Sequence, residues 1–534
     1  MRKLVKLLCL LMTLTMLWGC GPSVEGRIDE IRTLGESPED NYRTWYEIFV
    51  YSFCDSDGDG IGDLQGVRSK LDYLQELGIT GIWLMPIHPS TTYHKYNVSD
   101  YYAIDPAYGS MEDFEALLAD CHQRGIRVIL DLVVNHCGSA HPWFAKAQAY
   151  VSSLGKGEPL DPEQCPYVEY FNIVDEFRAG YKEIGASGRF YECRFSSSMP
   201  DLNLDNPAVR QEIRQIMEFW LNKGVDGFRL DAAKEYWTGN SDKNIEVLSW
   251  IQQTATELKS EAYLVAEVWD TFGEITKYYT SGITSLFDFP FANTDGKIVS
   301  VLRGAGNSSV VSTYATALEK ADKAYLDSNP SYIDAPFLSN HDVGRIAGFV
   351  SKDESKTKLA GAMNLFMGGS AFVYYGEEIG MVGSGNDPSK RAPMYWNAER
   401  NEGTTRLPPE CVLPESYPFG SLEEQMKDPF SVYNYYRQAV AIRNALPQIS
   451  HGRTTAETAL NRGCVSAQRK VWEDEECIIL MNIDPEEATV DLAGYESWTL
   501  AATLTVDREK VEEKKDTLIL PPWAVAILIP AQGS

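Results

Sequence analysis

Asp131-Leu-Val-Val-Asn-His136, Gly227-Phe-Arg-Leu-Asp231, Ala266-Glu-Val-Trp-Asp270 and Phe337-Leu-Ser-Asn-His-Asp342 follow one another along the chain. Each ends a short apolar run in charged or polar side chains. Short apolar runs of this kind read as buried strands. Working outward, the same pattern predicts strands over 45–53, 81–86, 128–134, 227–231, 263–268, 285–289, 335–339 and 370–375. Amphipathic stretches over 71–77, 111–124, 207–223 and 244–259 predict helices between them. Eight strands with intervening helices specify an α/β fold, the (β/α)8 TIM barrel, whose chemistry sits at the C-terminal strand ends. All four quoted segments fall there.

The alternation is interrupted once. Residues 138–205 are rich in Gly, Pro and Tyr and show no clean helix, so they read as an inserted domain after strand 3 that roofs one side of the cleft. The barrel then occupies 44–137 and 206–447, with its last helix over 432–446. Alternating patterns over 477–481, 517–520 and 524–529 predict a C-terminal all-β domain over 448–534.

The 534 residues carry a formal charge of −28, with Lys and Arg dispersed, which argues against a nucleic-acid partner. Such a balance suits a neutral substrate and a bound cation. The 12 Trp and 29 Tyr supply more flat rings than a core requires, as a sugar-binding cleft would use. No C-x-x-C pair and no paired histidines suggest zinc. Export would permit a disulfide, and Cys165 with Cys193, both in the inserted segment, is the expected pair.

Asp231, Glu267 and Asp342 are the acids that matter. Breaking an acetal between sugars needs one carboxylate to attack or steady the cationic carbon and one protonated carboxyl to feed the leaving oxygen. Asp231, two residues from the permanent charge of Arg229, should ionise easily. A neighbouring carboxylate should hold Glu267 protonated.

The four segments resemble those of the α-amylase family of glycoside hydrolases, family 13, and the likeness runs from residue 45 to the end. It implies a nucleophile at Asp231, oriented by Arg229, an acid/base at Glu267, and substrate hydroxyls held by Asp342, His136, His341 and Arg391. Tyr96, in His94-Lys-Tyr-Asn-Val-Ser-Asp-Tyr101, resembles the tyrosine that stacks under the cleaved sugar. Exo-acting relatives carry Asp at the next position, whereas this chain has Asn97. Gly81-Ile-Trp-Leu-Met-Pro86 and Gly369-Ser-Ala-Phe-Val-Tyr-Tyr-Gly376 resemble the second and eighth strands. Met199-Pro-Asp-Leu-Asn203 resembles a segment intermediate between oligo-1,6-glucosidases and neopullulanases. Ala232 after the nucleophile goes with α-1,4 preference, where α-1,6 enzymes commonly have Val. The resemblance implies a monomeric retaining α-glucan hydrolase acting on starch or maltooligosaccharides. A 4-α-glucanotransferase or an α-glucosidase of the same family stays open, as does a catalytically dead starch-binding surface protein.

After the first strand comes Asp55-Ser-Asp57-Gly-Asp59-Gly-Ile61-Gly-Asp63. Oxygen donors at alternate residues around glycines suit Ca2+. In the family the corresponding loop binds calcium through these aspartates and the carbonyl at Ile61.

The N-terminus reads as an export signal over 1–20. Arg2, Lys3 and Lys6 precede an apolar run over 7–17, too short for a permanent span. Cys20, after Gly19 and before Gly21, resembles a bacterial lipobox, with Trp18 in place of the usual small residue. Residues 21–43 would then tether the barrel outside the cytoplasm to a lipid anchor. Cys20→Ala is expected to move the protein from the membrane to the soluble fraction on cell fractionation. A wild-type protein already soluble would mark an ordinary cleaved signal.

Overall fold

The computed structural model describes residues 40–531 apart from Lys156 and Glu415. The export signal and Cys20 lie outside the described residues. Seven parallel strands form the central sheet. They are β1 (Thr44–Ile48), β2 (Gly81–Leu84), β3 (Arg127–Leu132), β4 (Gly227–Leu230), β5 (Tyr263–Ala266), β6 (Ser285–Leu286) and β7 (Ala371–Tyr374). Their order in space is β7-β1-β2-β3-β4-β5-β6.

The strand expected over 335–339 is replaced by a segment that closes the barrel through a few bonds. Phe287 and Ala335 form a parallel bridge. Asp288 N donates to Ala335 O (3.1 Å), and Phe372 N donates to Pro336 O (2.8 Å). Pro336 has no N–H, so the segment accepts on one side without completing a ladder. The first strand is also shorter than expected, because Val50–Phe53 forms a helical turn. Gly62 N donates to Tyr51 O (2.9 Å), holding the acidic loop against that turn.

Every residue of β1 and β2 is buried, as barrel strands must be when helices cover one face and the interior fills the other. On the floor, Trp45 stacks between Tyr263 (5.1 Å, 9°) and Phe372 (5.9 Å, 11°). The helix Pro207–Asn222 shows how the outer layer forms. Asn206 caps it by accepting from Ala208 N, and Pro207 takes the first helical position. Val209, Ile213, Ile216, Met217 and Trp220 recur at helical spacing and are buried.

The inserted segment contains a helix that its Gly and Pro content concealed. Pro142–Ser153 is capped by the His141 ring and buries Trp143, Phe144, Ala147 and Val151. A three-stranded antiparallel sheet of Ile173–Val174, Tyr181–Glu183 and Phe190–Glu192 follows. The expected Cys165–Cys193 disulfide is absent and both residues are thiols. Cys165 directs its sulfur at Lys146 O (3.9 Å) on the helix, whereas Cys193 is fixed at the end of the sheet by Gly180 O (2.8 Å).

The C-terminal region forms a five-stranded and a three-stranded antiparallel sheet. Buried polar groups pin it to the barrel: Lys358 Nζ reaches Val506 O (2.9 Å), Gln468 Nε2 reaches Phe366 O (3.2 Å), and Lys470 Nζ reaches Met367 O. Among the described residues no helix is long and apolar enough to cross a membrane.

Gly227 begins β4 at φ +152°, and a Cβ there would lie 1.9 Å from the Tyr263 carbonyl oxygen. Gly227→Ala is expected to cost about 3 kcal/mol through strain and overpacking, read by chemical denaturation. Gly273→Ala, with nothing within 4 Å of the added carbon, should leave the midpoint unchanged.

Candidate active site

Residues two apart on a strand face the same way, so Arg229 and Asp231 both point inward at the end of β4. Arg229 is buried and binds three carboxylates. Its Nη1 contacts Asp131 Oδ1 (2.8 Å) and Asp231 Oδ1 (2.7 Å), and its Nη2 contacts Glu267 Oε2 (2.6 Å). The guanidinium lies over the Trp83 ring at 5.0 Å. Immediately after Asp231 the chain turns at Ala232 through a left-handed conformation (φ +45°). That turn aims the Ala232 amide at Glu267 Oε2 (3.1 Å).

Asp342 is held from two sides. Arg391 Nη2 donates to Oδ1 (2.7 Å), and His341 Nε2 lies 2.9 Å from Oδ2. Arg391 also donates through Nε to His341 O (3.0 Å) and through Nη1 to the Tyr93 hydroxyl (3.2 Å). It thus acts on Asp342 as well as lining the cleft.

A cavity of about 230 Å³ is bordered by Asp231, Glu267, Asp342, Tyr96, His136 and Arg391, with Ala232 beside the first acid. Phe195 and Met199 of the inserted segment complete one wall. Phe195 is about half exposed, its ring 5.7 Å from that of His136. Three residues singled out in the sequence stand off the cavity lining. Arg229 lies beneath the acids. His341 is fully buried behind Tyr96, their rings stacked at 5.4 Å. Asn97 is buried and donates to Ser198 O (3.0 Å) and Ser198 Oγ (2.9 Å), tying the inserted segment to the barrel.

Asp131, Glu47, His94 and Asp387 were not anticipated. His94 and Asp387 line the cavity. Asp131 opens the first quoted segment, so its place directly opposite Arg229 on the adjacent strand was open to inference from the barrel order. Glu47, an acid within the predicted first strand, gave no sign of its partner.

The acids differ in protonation because their surroundings differ. Burial raises the pKa of Glu267, Arg229 opposes this, and the charges of Asp231 and Asp342 add to it. Burial is therefore the leading cause, ahead of the neighbouring carboxylates. Burial also pushes Asp131 up to about 7 against the pull of Arg229. For Asp342 burial is outweighed by His341, Arg391 and Arg229, and the carboxyl is held below the usual range. Burial lowers His341, but Asp342 and Glu47 outweigh it and raise the ring to about 10.

In the acidic loop, carboxylate oxygens of Asp55, Asp57 and Asp63 lie within 4.8 Å of one another. Three hard oxygen donors at this spacing fit a calcium ion. Asp59, the fourth aspartate expected there, stands beside this cluster with its Oδ1 accepting from Ile61 N (2.7 Å). Asp63 also caps the helix Leu64–Ser69 through Gly66 N, which ties the cluster to the barrel's first helical turn.

The family model described as the alpha amylase catalytic domain matches residues 47–452. "Alpha-amylase 3" of Dictyoglomus thermophilum is 38% identical over 491 residues, covering 91% of this chain and 92% of the relative. "Glucan 1,6-alpha-glucosidase" of Streptococcus dysgalactiae subsp. equisimilis is 29% identical, covering 90% and 97%. The solved structure "Eubacterium rectale Amy13B" superposes with a TM-score of 0.91 at 43% identity, covering 96% of this chain and 99% of that one. With the acids gathered at the strand ends, these likenesses show that the chain belongs to the α-amylase family and is a glycoside hydrolase.

Proposed function

We propose that the protein is a retaining hydrolase of α-1,4-glucosidic bonds in starch or maltooligosaccharides, held outside the cytoplasm by a lipid on Cys20. The observation that carries the reaction is the division of protonation within one acidic cluster. Glu267 holds its proton more tightly than an ordinary carboxyl, while Asp342 gives its proton up more readily. Asp231 attacks the anomeric carbon as the glycosidic C–O bond breaks, and the proton on Glu267 goes to the leaving oxygen. Water then displaces Asp231, giving its proton to the Glu267 carboxylate. Arg229 orients both groups.

Ala232 borders the cavity beside Asp231, and its small side chain supports α-1,4 preference. With Asn97 turned into the inserted segment, no carboxylate from that position grips a chain end. This favours internal cleavage. Incubation with amylose, pullulan, isomaltose and maltose, followed by chromatography, should show a ladder of oligosaccharides from amylose and little hydrolysis of isomaltose. Glucose alone from amylose would refute the endo reading. Asp231→Asn, isosteric and uncharged, should lose at least ~1000-fold in kcat with the melting temperature nearly unchanged.

Calcium would be held by Asp55, Asp57 and Asp63, where it would neutralise converging carboxylates and stabilise the loop. At 100 times its Kd such an ion adds about 2.7 kcal/mol of stability. Chelator should therefore lower the melting temperature. Asp57→Ala should abolish that sensitivity while Asp59→Ala preserves it; equal responses of the two variants would place the ion elsewhere.

A further inference from the structure

Behind the cavity wall, Glu47 and His341 form a pair that the reaction outlined above does not use. Glu47 sits on β1 and is 1% exposed. Its Oε1 lies 2.6 Å from His341 Nδ1, with both side chains essentially sealed from solvent. On the other edge of the ring, Nε2 lies 2.7 Å from the Tyr96 hydroxyl and 2.9 Å from Asp342 Oδ2.

Hydrogen-bond accounting fixes the proton on one ring nitrogen and ties the other to the charge of Glu47. The Tyr96 hydroxyl donates its one proton to Asp131 Oδ2 (3.0 Å), so towards His341 it accepts. Asp342 accepts as well, its carboxyl being ionised beside Arg391. Nε2 must then carry a proton. With Glu47 as the acceptor of the 2.6 Å contact, Nδ1 carries a proton too. A ring donating from both nitrogens is an imidazolium. A buried carboxylate without such a partner would be costly. The other charged groups packed around this pair are Arg229 and Asp131 beyond Tyr96, and Arg391 beyond Asp342. The two arginines oppose charge on the ring, and Asp131 favours it.

We propose that Glu47 is a positioning residue that keeps His341 as a buried imidazolium, through which the Asp342 carboxylate and the Tyr96 hydroxyl are fixed at the cavity wall. The inference rests on the catalytic reading of Asp342. Its charge assignment concerns the resting protein and is measured without turnover. Ring charge agrees with the rise of His341 to about 10. The alternative is a neutral pair with the proton on Glu47 Oε1.

The test uses 15N-histidine-labelled protein, in which seven histidines give few ring signals. At pH 8 the wild type should show one histidine with both nitrogens protonated. In Glu47→Gln that signal should become a neutral ring bearing its proton on Nε2, since the Gln amide can donate to Nδ1 and keep the geometry. The same variant should melt near the wild-type temperature. Its kcat/KM should fall at least ~10-fold, the factor equal to one pKa unit of lost interaction, and its acidic pH limb should move upward. Seven neutral histidines in the wild type at pH 8 would overturn the proposal even if the variant failed to fold. A folded variant with the imidazolium retained, or with kcat/KM within about twofold of wild type, would overturn it equally. Failure of the reaction scheme itself would show instead as turnover by Asp231→Asn, leaving the ring spectrum to stand on its own.

Discussion

One guanidinium organises the catalytic end of the barrel. Arg229 is buried, lies against Trp83, and bonds Asp131, Asp231 and Glu267, which arrive from three neighbouring strands. Without it, three carboxyl groups would converge in a site largely shielded from water. Removing one partner of a buried ion pair typically costs about 3–5 kcal/mol, because the remaining charge is left unpaired. Arg229 reaches all three because parallel strands β3, β4 and β5 are adjacent in the sheet and in register. Leu230 pairs with Ala266 and Asp131 with Arg229, which brings the strand ends level. The site is thus a consequence of sheet order.

Much of this was legible because barrel strands have a strong signature. Buried on both faces, they appear as short continuous apolar runs, and the residue that ends each run is placed at the cleft. Departures occurred where one residue overrode the pattern. Pro336 deprives its segment of a donor, so the seventh position closes by scattered bonds. Pro142, in a stretch read as having no clean helix, opens a helix with Trp143, Phe144, Ala147 and Val151 behind it. The disulfide expectation failed because sharing an inserted segment does not bring two cysteines together: one lies under the helix and the other at the end of the sheet.

The site was legible to the depth of the cavity wall and less so behind it. Asp231, Glu267, Asp342, Tyr96, His136 and Arg391 all border the space expected of them. His341 and Asn97 have histidine and amide chemistry suited to sugars, yet the first is spent on Asp342, Tyr96 and Glu47, and the second on Ser198. Glu47 was invisible for a different reason. It is one acid in the first strand, and its partner is 294 residues away. An acid inside an apolar strand run points to a buried partner but does not name it, and His341 meets Glu47 only once the barrel has closed.

Counting charges across the whole assembly explains why the acids cannot all ionise together. Arg229, Arg391 and the His341 ring face Asp131, Asp231, Glu267, Asp342 and Glu47, so three cations meet five carboxyl groups. In a poorly solvated site that surplus must be met by bound protons or by positive charge from a ligand. Glu267 and Asp131, which share one guanidinium with Asp231, gain affinity for a proton through burial. Asp342 has His341 and Arg391 as close partners and remains ionised. A proton on Glu267 removes part of the surplus and leaves negative charge facing the sugar. In the proposed reaction the anomeric carbon becomes cationic at the transition state, so the charge that the resting site leaves uncompensated is the one the transition state supplies. The imbalance that makes the empty cluster costly is therefore what suits it to the cleavage of an acetal.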